Sequence, residues 1–177
     1  MIRVQEVATA ILFNLGEMYS RKHSDPELIE SINTILRYLN VALVNRDSNW
    51  IVKEKEVTPK NGKATLPSDF IRTKDYLVKD GTEQKTYDGK YRIVRNTLYI
   101  DEPGVIEYYY TIAPVATMED EIDLPSIFAQ LLIRFGTGLI KGDLGKNQLD
   151  SMLSHELDNL SQSDNYPVIE RPMEFYV

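Results

Sequence analysis

The sequence contains no cysteine, and this absence excludes several kinds of site at once. A chain of 177 residues without cysteine has no disulfide framework, no cysteine-ligated zinc or iron–sulfur centre and no cysteine nucleophile. Histidine is scarce as well, with 2 in the whole chain. At this length one domain is expected, and it is large enough to bury a hydrophobic core without support from a metal or disulfides.

A surplus of positive charge is also missing, because 20 Lys and Arg stand against 27 Asp and Glu, for a net charge of −7. The whole-chain charge therefore argues against a nonspecific DNA binder or a protein of anionic membranes. The apolar runs fall far short of the roughly 20 residues that cross a bilayer, and the first residues lack the pattern of a signal peptide. We expect a soluble chain made in the cytoplasm, with no membrane partner.

Apolar residues at helical spacing predict four amphipathic helices. The predicted ranges are 2–22, 25–46, 124–141 and 146–161. Ser24 and Glu27 have the spacing of a capping box at the start of the second helix, and Pro26 suits its first turn. Gly136 and Gly138 lie inside the third helix, which indicates close packing against a neighbouring helix. The short link between the first two helices predicts an antiparallel pair.

Between residues 50 and 113 the helical spacing gives way to short strands separated by turn signals. Asn61-Gly62 is a tight-turn signal, and residues 95–97 lie between two further strand-like segments. No helix alternates with these strands, which argues against a doubly wound parallel sheet. The expected fold is α+β: a bundle of about four helices with an inserted small antiparallel β-sheet or sandwich, forming a single domain over residues 1–165.

The search for catalytic or metal-binding residues gives weak candidates. His23 and His155 lack ligand spacing and are interpreted as solvated helix histidines. The acidic residues in 119–123 could hold a cation or supply paired carboxylates, but a solvated loop near a helix N-terminus is favoured. The chain shows neither a phosphate-binding loop nor a nucleophile elbow. We therefore expect no enzyme, no cofactor and no metal site.

Three consecutive tyrosines, Tyr108, Tyr109 and Tyr110, occupy the most strand-like segment, which spans residues 105–112. Tyrosines on a sheet can stack on nucleic-acid bases, but such platforms come with a basic groove. The acidic residue Glu107 precedes these tyrosines, and further acids lie just before the strand. Packing in the core and in interfaces is therefore favoured.

Residues 166–177 form a mostly apolar segment with two prolines, which a regular helix does not accommodate. They are expected to be an extended tail, which packs on its own domain as an edge strand or docks on another chain. The residues alone leave both alternatives open. The candidate contact residues are Tyr166, Pro167, Val168, Ile169, Pro172, Met173, Phe175, Tyr176 and Val177.

The order of these segments resembles the head-to-tail adaptor, or connector, proteins of tailed bacteriophages. The resemblance rests most on residues 62–72 (GKATLPSDFIR), and then on 96–100 (NTLYI), 107–114 (EYYYTIAP) and 120–128 (DEIDLPSIF). Two amphipathic helices that end just before Trp50 fit the same pattern. None of these phrases is a catalytic motif.

The resemblance implies a structural virion protein at the head–tail junction. Such proteins form a homo-oligomeric ring, typically a dodecamer, beneath the portal, and double-stranded DNA passes through it without sequence-specific binding. The implied partners are the portal protein, other neck and tail proteins and further copies of this chain. The resemblance also implies that the tail at 166–177 contacts the portal or a neighbouring subunit. A tail-completion or stopper protein is an alternative, and a carboxylate-based hydrolase is a less favoured one.

The acidic composition suits a channel through which DNA moves without being held. Only charges within roughly 8 Å of the DNA matter at physiological salt, so the residues that face the lumen decide the effect. Basic strand residues such as Lys53, Lys55 and Arg72 could locally reverse the sign.

Overall fold

The computed structural model describes residues 1–80 and 83–163, and within them it has four α-helices and nine short β-strands. The helices are α1 (Val4–Leu15), α2 (Asp25–Asn45), α3 (Ala129–Lys141) and α4 (Lys146–Ser163). The strands are β1 (Ile2–Arg3), β2 (Val52–Val57), β3 (Lys63–Thr65), β4 (Phe70–Asp80), β5 (Glu83–Thr86), β6 (Arg92–Val94), β7 (Thr97–Tyr99), β8 (Gly104–Tyr110) and β9 (Glu121–Ile122). The predicted α+β class, with four helices and small antiparallel sheets, is confirmed.

The first helix is much shorter than the predicted range 2–22, and that prediction is wrong at both ends. Ile2 and Arg3 are extended and pair with β9 before α1 begins. The helix stops because Gly16 adopts a left-handed conformation with φ of 74°, which glycine tolerates better than other residues. The Gly16 N–H then caps carbonyl groups of the last turn. Met18 and Tyr19 continue the helical spacing in the sequence but lie outside the helix.

The second helix follows its predicted range closely. The backbone N–H of Ser24 donates to the Glu27 carboxylate at 2.7 Å, which forms the expected capping box, and Pro26 lies in the first turn. The apolar face of α2 is buried in the core at Leu28, Ile32, Ile35, Leu36, Leu39 and Leu43. This long apolar face makes α2 a central support of the helical bundle.

The third helix begins later than the predicted residue 124. Residues Ser126–Phe128 form a 3-10 turn, and α3 proper starts at Ala129. The expected close packing against a neighbouring helix is confirmed for Gly136, whereas Gly138 packs against Leu144 in the loop before α4. A Cβ added at Gly136 would lie 2.5 Å from Cδ1 of Ile11, and one at Gly138 would lie 3.2 Å from Cβ of Leu144. Gly136 therefore lets α3 approach α1 more closely than any larger residue would.

The inserted region is built from two antiparallel sheets. One has the strand order β2-β8-β4-β5 and the other has the order β3-β7-β6, and neither closes into a barrel over the described residues. Asn61 and Gly62 both have positive φ, as the tight turn between Lys60 and Lys63 requires. Arg95 also has positive φ, in the turn between β6 and β7. The predicted turns are therefore present, and a third sheet, β1-β9, lies outside the predicted β region.

The central strand β8 is buried on both faces. Ile106, Tyr108 and Tyr110 alternate with Val105 and Tyr109 along the strand, and all five side chains are buried. A sheet covered on both sides has apolar residues at successive positions instead of the strict alternation of a half-exposed strand. The prediction that the three tyrosines pack in the core is confirmed.

Two asparagines on one face of α2 hold the chain segment that leaves β8. Asn33 accepts from the N–H of Val115 and donates to its carbonyl, both at 2.8 Å. Asn40, two turns further on, accepts from the N–H of Ile112 at 3.1 Å. These bonds satisfy backbone groups of a segment that has no strand partner, as partly buried backbone requires.

Over the described residues, none of the helices combines the length and apolar character needed to cross a membrane. The predicted tail at 166–177, with all of its candidate contact residues, lies outside the described residues.

Candidate interaction surfaces

Lys53 on β2 lies at the centre of a polar cluster between the sheet and the bundle. Its Nζ is 2.9 Å from Asp123, 3.3 Å from Asp69 and 3.8 Å from the ring centre of Tyr110. Burial lowers the pKa of Lys53, but hydrogen bonds and charges from Asp123 and Asp69 outweigh it and raise the pKa. Lys53 therefore remains a cation that holds the two carboxylates. Asp123 of the acidic segment is therefore held in an ion pair within the subunit.

The tyrosines of β8 complete the cluster. The hydroxyl of Tyr110 donates to the backbone carbonyl of Asp123 at 2.8 Å, and that of Tyr108 contacts Asp69 at 3.3 Å. Burial, reinforced by the charge of Asp123, raises the pKa of Tyr110 to about 12. Tyr110 is therefore a neutral hydrogen-bond donor at physiological pH. The contacts of this cluster fasten the sheet to the segment that enters α3.

A second fastening point joins β4 to the end of α2. Arg72 donates to the carbonyl of Val44 at 2.7 Å, pairs with Asp47 and lies over the ring of Tyr109. Arg72 and Lys53 are thus both paired with carboxylates inside the subunit. Neither residue offers the free positive charge that the sequence suggested, and exposed Lys55 has the acidic neighbours Glu54 and Glu56.

The two histidines differ in their surroundings. His155 is exposed on α4, as expected. The interpretation of His23 as a solvated helix residue is wrong, since it lies in the loop between α1 and α2 with Nδ1 at 2.9 Å from Oε1 of Glu17. Glu17 is buried and also accepts from the backbone N–H groups of Lys22 and His23 at 2.9 and 3.1 Å. Glu17 therefore organises this loop.

Glu17 is expected to make the thermal stability of the subunit depend on pH in the acidic range. Burial raises its pKa, but the hydrogen bonds from Lys22 and His23 outweigh burial and leave the pKa below its ordinary value. Its stabilising contribution is present above the ordinary carboxyl pKa and is lost as the pH falls through the depressed one. We expect Glu17→Gln to lower the melting temperature at neutral pH. The melting temperature of this variant should also fall less than that of the wild type between about pH 6 and about pH 3.

Thermal unfolding monitored by circular dichroism across that pH range measures the effect. Glu54→Gln, at an exposed position of β2, removes the same charge and is the matched control. Glu27 and Asp120, whose pKa values are also lowered by hydrogen bonds, remain in every variant. An unchanged acid response in Glu17→Gln would contradict the role assigned to Glu17.

The acidic segment 119–123 is tied into its own loop. Asp120 accepts from the N–H groups of Ala116 and Thr117 at 2.6 and 3.0 Å, and these bonds lower its pKa. Across the described residues, no group of three or more His, Asp or Glu side chains is arranged to hold a metal ion. Two carboxylates that lie close together, Asp69 and Asp123, are both bound to Lys53.

A shallow groove lined by both polar and apolar residues lies on the outer surface of the bundle between α1 and α3, and we call it the α1–α3 groove. Phe13, Met18 and Ile133 line it together with polar residues such as Glu6 and Gln130, and Ile127 lines an adjoining pocket towards α4. Phe13 is 69% exposed, Met18 50% and Ile127 41%. Exposed apolar residues that lie close together mark interaction surfaces more often than isolated ones do.

A surface with an excess of positive charge lies on the three-stranded sheet, although the chain as a whole is acidic. Residues 60–66 and 89–100 contain five Lys or Arg and no Asp or Glu. The five are exposed, and none forms an ion pair with another described residue; they are Lys60, Lys63, Lys90, Arg92 and Arg95. We call this surface the basic face. Asp101 lies at its border, beside Gly62.

The strand register fixes the centre of the basic face. Lys63 pairs with Tyr99 across β3 and β7, and Arg92 pairs with the same Tyr99 across β6 and β7. The three side chains therefore form one row on the same side of the sheet. Both cations lie over the tyrosine ring, at 5.6 Å for Lys63 and 4.5 Å for Arg92. The opposite side of β7 carries Leu98, which is buried in the core.

Sequence reasoning missed both of these surfaces. A count of charges along the chain would have found the two acid-free segments, but only the strand pairing shows that they are neighbours. Comparison with known proteins adds no assignment: the chain matches no protein-family model, and no curated protein is significantly similar to it.

Proposed function

We propose that this protein is a structural head-to-tail adaptor of a tailed bacteriophage, which forms a ring beneath the portal and joins the capsid to the tail. The α1–α3 groove carries the proposal, because a subunit that leaves Phe13 largely exposed has an apolar surface for another chain. The occupant is a second copy of this chain, since a ring gives every subunit the same neighbour. The ordered sequence resemblance supplies the particle in which that ring belongs.

The polar residues of the subunit support a structural role. The clusters around Lys53 and Arg72 connect the sheet to the bundle, and the carboxylates of Asp69 and Asp123 serve as counter-ions to Lys53. A hydrolase would need two carboxylates facing one cleft, with their pKa values set apart. The contacts of these clusters are those expected of a subunit that stays rigid while it is part of an assembly.

The tail at 166–177 is the proposed contact to the portal. We expect a chain lacking these residues to fold normally but to lose its binding to a purified portal ring, because nine apolar or proline contact residues are removed. Negative-stain imaging and native mass spectrometry of the protein, alone and with the portal, measure assembly. A pull-down on immobilised portal measures binding directly.

Two outcomes separate the parts of this proposal. Portal binding that is unimpaired by the deletion would overturn the role of the tail while leaving the ring in place. Failure of the full-length chain to form a ring, both alone and on the portal, would overturn the adaptor function itself. A tail in which Phe175 and Tyr176 are kept and Glu170, Arg171 and Glu174 become Gln is the control for loss of charge.

A further inference from the structure

We propose that the basic face binds the phosphate backbone of double-stranded DNA. The inference rests on the proposed function, which supplies DNA as the polyanion near this subunit. Five exposed cations, Lys60, Lys63, Lys90, Arg92 and Arg95, occupy two chain segments without any acidic residue. The acidic excess lies outside the inserted region, since residues 50–113 contain eleven basic and ten acidic residues within a chain of net charge −7.

The geometry fits a polyanion better than a small anion. Lys63 and Arg92 lie on the two outer strands of the sheet, so their backbones are about 10 Å apart. At this distance they reach separate phosphates along a backbone. The flanking turn places Lys60 opposite Lys63, and the other turn presents Arg95. Lys and Arg at separate positions on a rigid sheet give sequence-independent contacts.

The surroundings of Tyr99 favour contact with the phosphate backbone of DNA over stacking of its bases. Proteins that bind single strands stack bases on open aromatic rings. The Tyr99 ring is only partly exposed and already contacts Lys63 and Arg92. The ring therefore holds the two cations in place on the sheet. A contact limited to a few phosphates is weak and salt-sensitive, which is compatible with DNA that moves past the subunit.

Fluorescence anisotropy of a labelled 30-base-pair duplex of random sequence, roughly three helical turns, tests the proposal with the full-length protein. We expect weak binding at about 50 mM salt that falls steeply as salt rises. The double variant Lys63→Gln/Arg92→Gln should bind more weakly and reduce the slope of log K against log salt by about 2. Lys22→Gln/Lys55→Gln removes the same charge from exposed positions elsewhere and should leave the slope unchanged.

Several outcomes would overturn the proposal. These are an absence of binding at low salt, equal losses in the two double variants, or binding to polyglutamate of matched charge as tight as to DNA. The last result would assign the basic face to an acidic protein. Imaging of Lys63→Gln/Arg92→Gln shows whether this variant still forms rings, which separates the test of DNA binding from the test of the adaptor function. Wild-type rings that do not bind DNA refute only this inference, whereas DNA binding by a wild-type chain that never forms rings refutes only the adaptor function.

Discussion

The variant Gly136→Val should destabilise the subunit by about 3 kcal/mol, because it places a branched side chain where even one carbon has no room. A Cβ at this position would lie 2.5 Å from Cδ1 of Ile11, and Ile11 is fully buried. The backbone cannot separate easily, since Ser31 of α2 also contacts the Gly136 carbonyl at 3.3 Å. Urea unfolding monitored by circular dichroism gives the change in the free energy of unfolding.

A double-mutant cycle identifies the cause. Ile11→Val removes Cδ1 and alone should cost about 1 kcal/mol. Combined with the smaller change Gly136→Ala, it should destabilise the subunit by less than the sum of the two single variants, because the clashing atom is gone. Strict additivity of the two changes, or a Gly136→Val variant as stable as the wild type, would refute close packing of α1 against α3 at this point.

The variant Phe13→Lys should abolish ring assembly while the subunit stays folded. Phe13 is 69% exposed in the single subunit, so its replacement removes little of the core. In an assembled ring the same side chain would be covered, and an unpaired ammonium group there is costly to desolvate. A loss of about 3 kcal/mol at each contact weakens every subunit interface by roughly 100-fold or more. Native mass spectrometry in the presence of portal measures the fraction of rings.

Val41→Lys is the matched control for Phe13→Lys. Val41 lies on α2, is 57% exposed and does not line the α1–α3 groove. Both variants should retain the melting temperature of the wild type within the small range typical of surface substitutions. Rings formed normally by Phe13→Lys, or lost equally in Val41→Lys, would remove the groove from the interface.

The local features of the fold could be predicted because their causes are local. The start of α2 follows from Ser24, Pro26 and Glu27, which satisfy the first helical N–H groups within four residues of sequence. The end of α1 was also accessible, since Gly16 directly follows Leu15. Helical spacing alone does not show this end, because Met18 and Tyr19 continue the apolar spacing beyond the helix, and only the glycine signals the stop.

The interaction surfaces could not be predicted because they depend on distant pairing. Asn33 and Asn40 look like ordinary polar positions of an amphipathic helix, yet both bind the backbone after β8. Lys63 and Arg92 become neighbours only when β3 and β6 pair with opposite edges of β7. The exposure of Phe13 depends on how α1 packs against α3, which no local pattern specifies.

The meeting of Trp50 and Phe128 has a consequence for the order of folding. Their rings lie edge to face, with centres 4.9 Å apart; Trp50 lies at the start of the inserted β region and Phe128 in the 3-10 turn before α3. The core of the bundle can be completed only after the chain between Trp50 and Phe128 closes into a loop. The entropic cost of this closure grows slowly with loop length. The hairpins within the insertion form from nearby residues and shorten the effective loop. We therefore expect the β region to bring the two halves of the bundle together during folding.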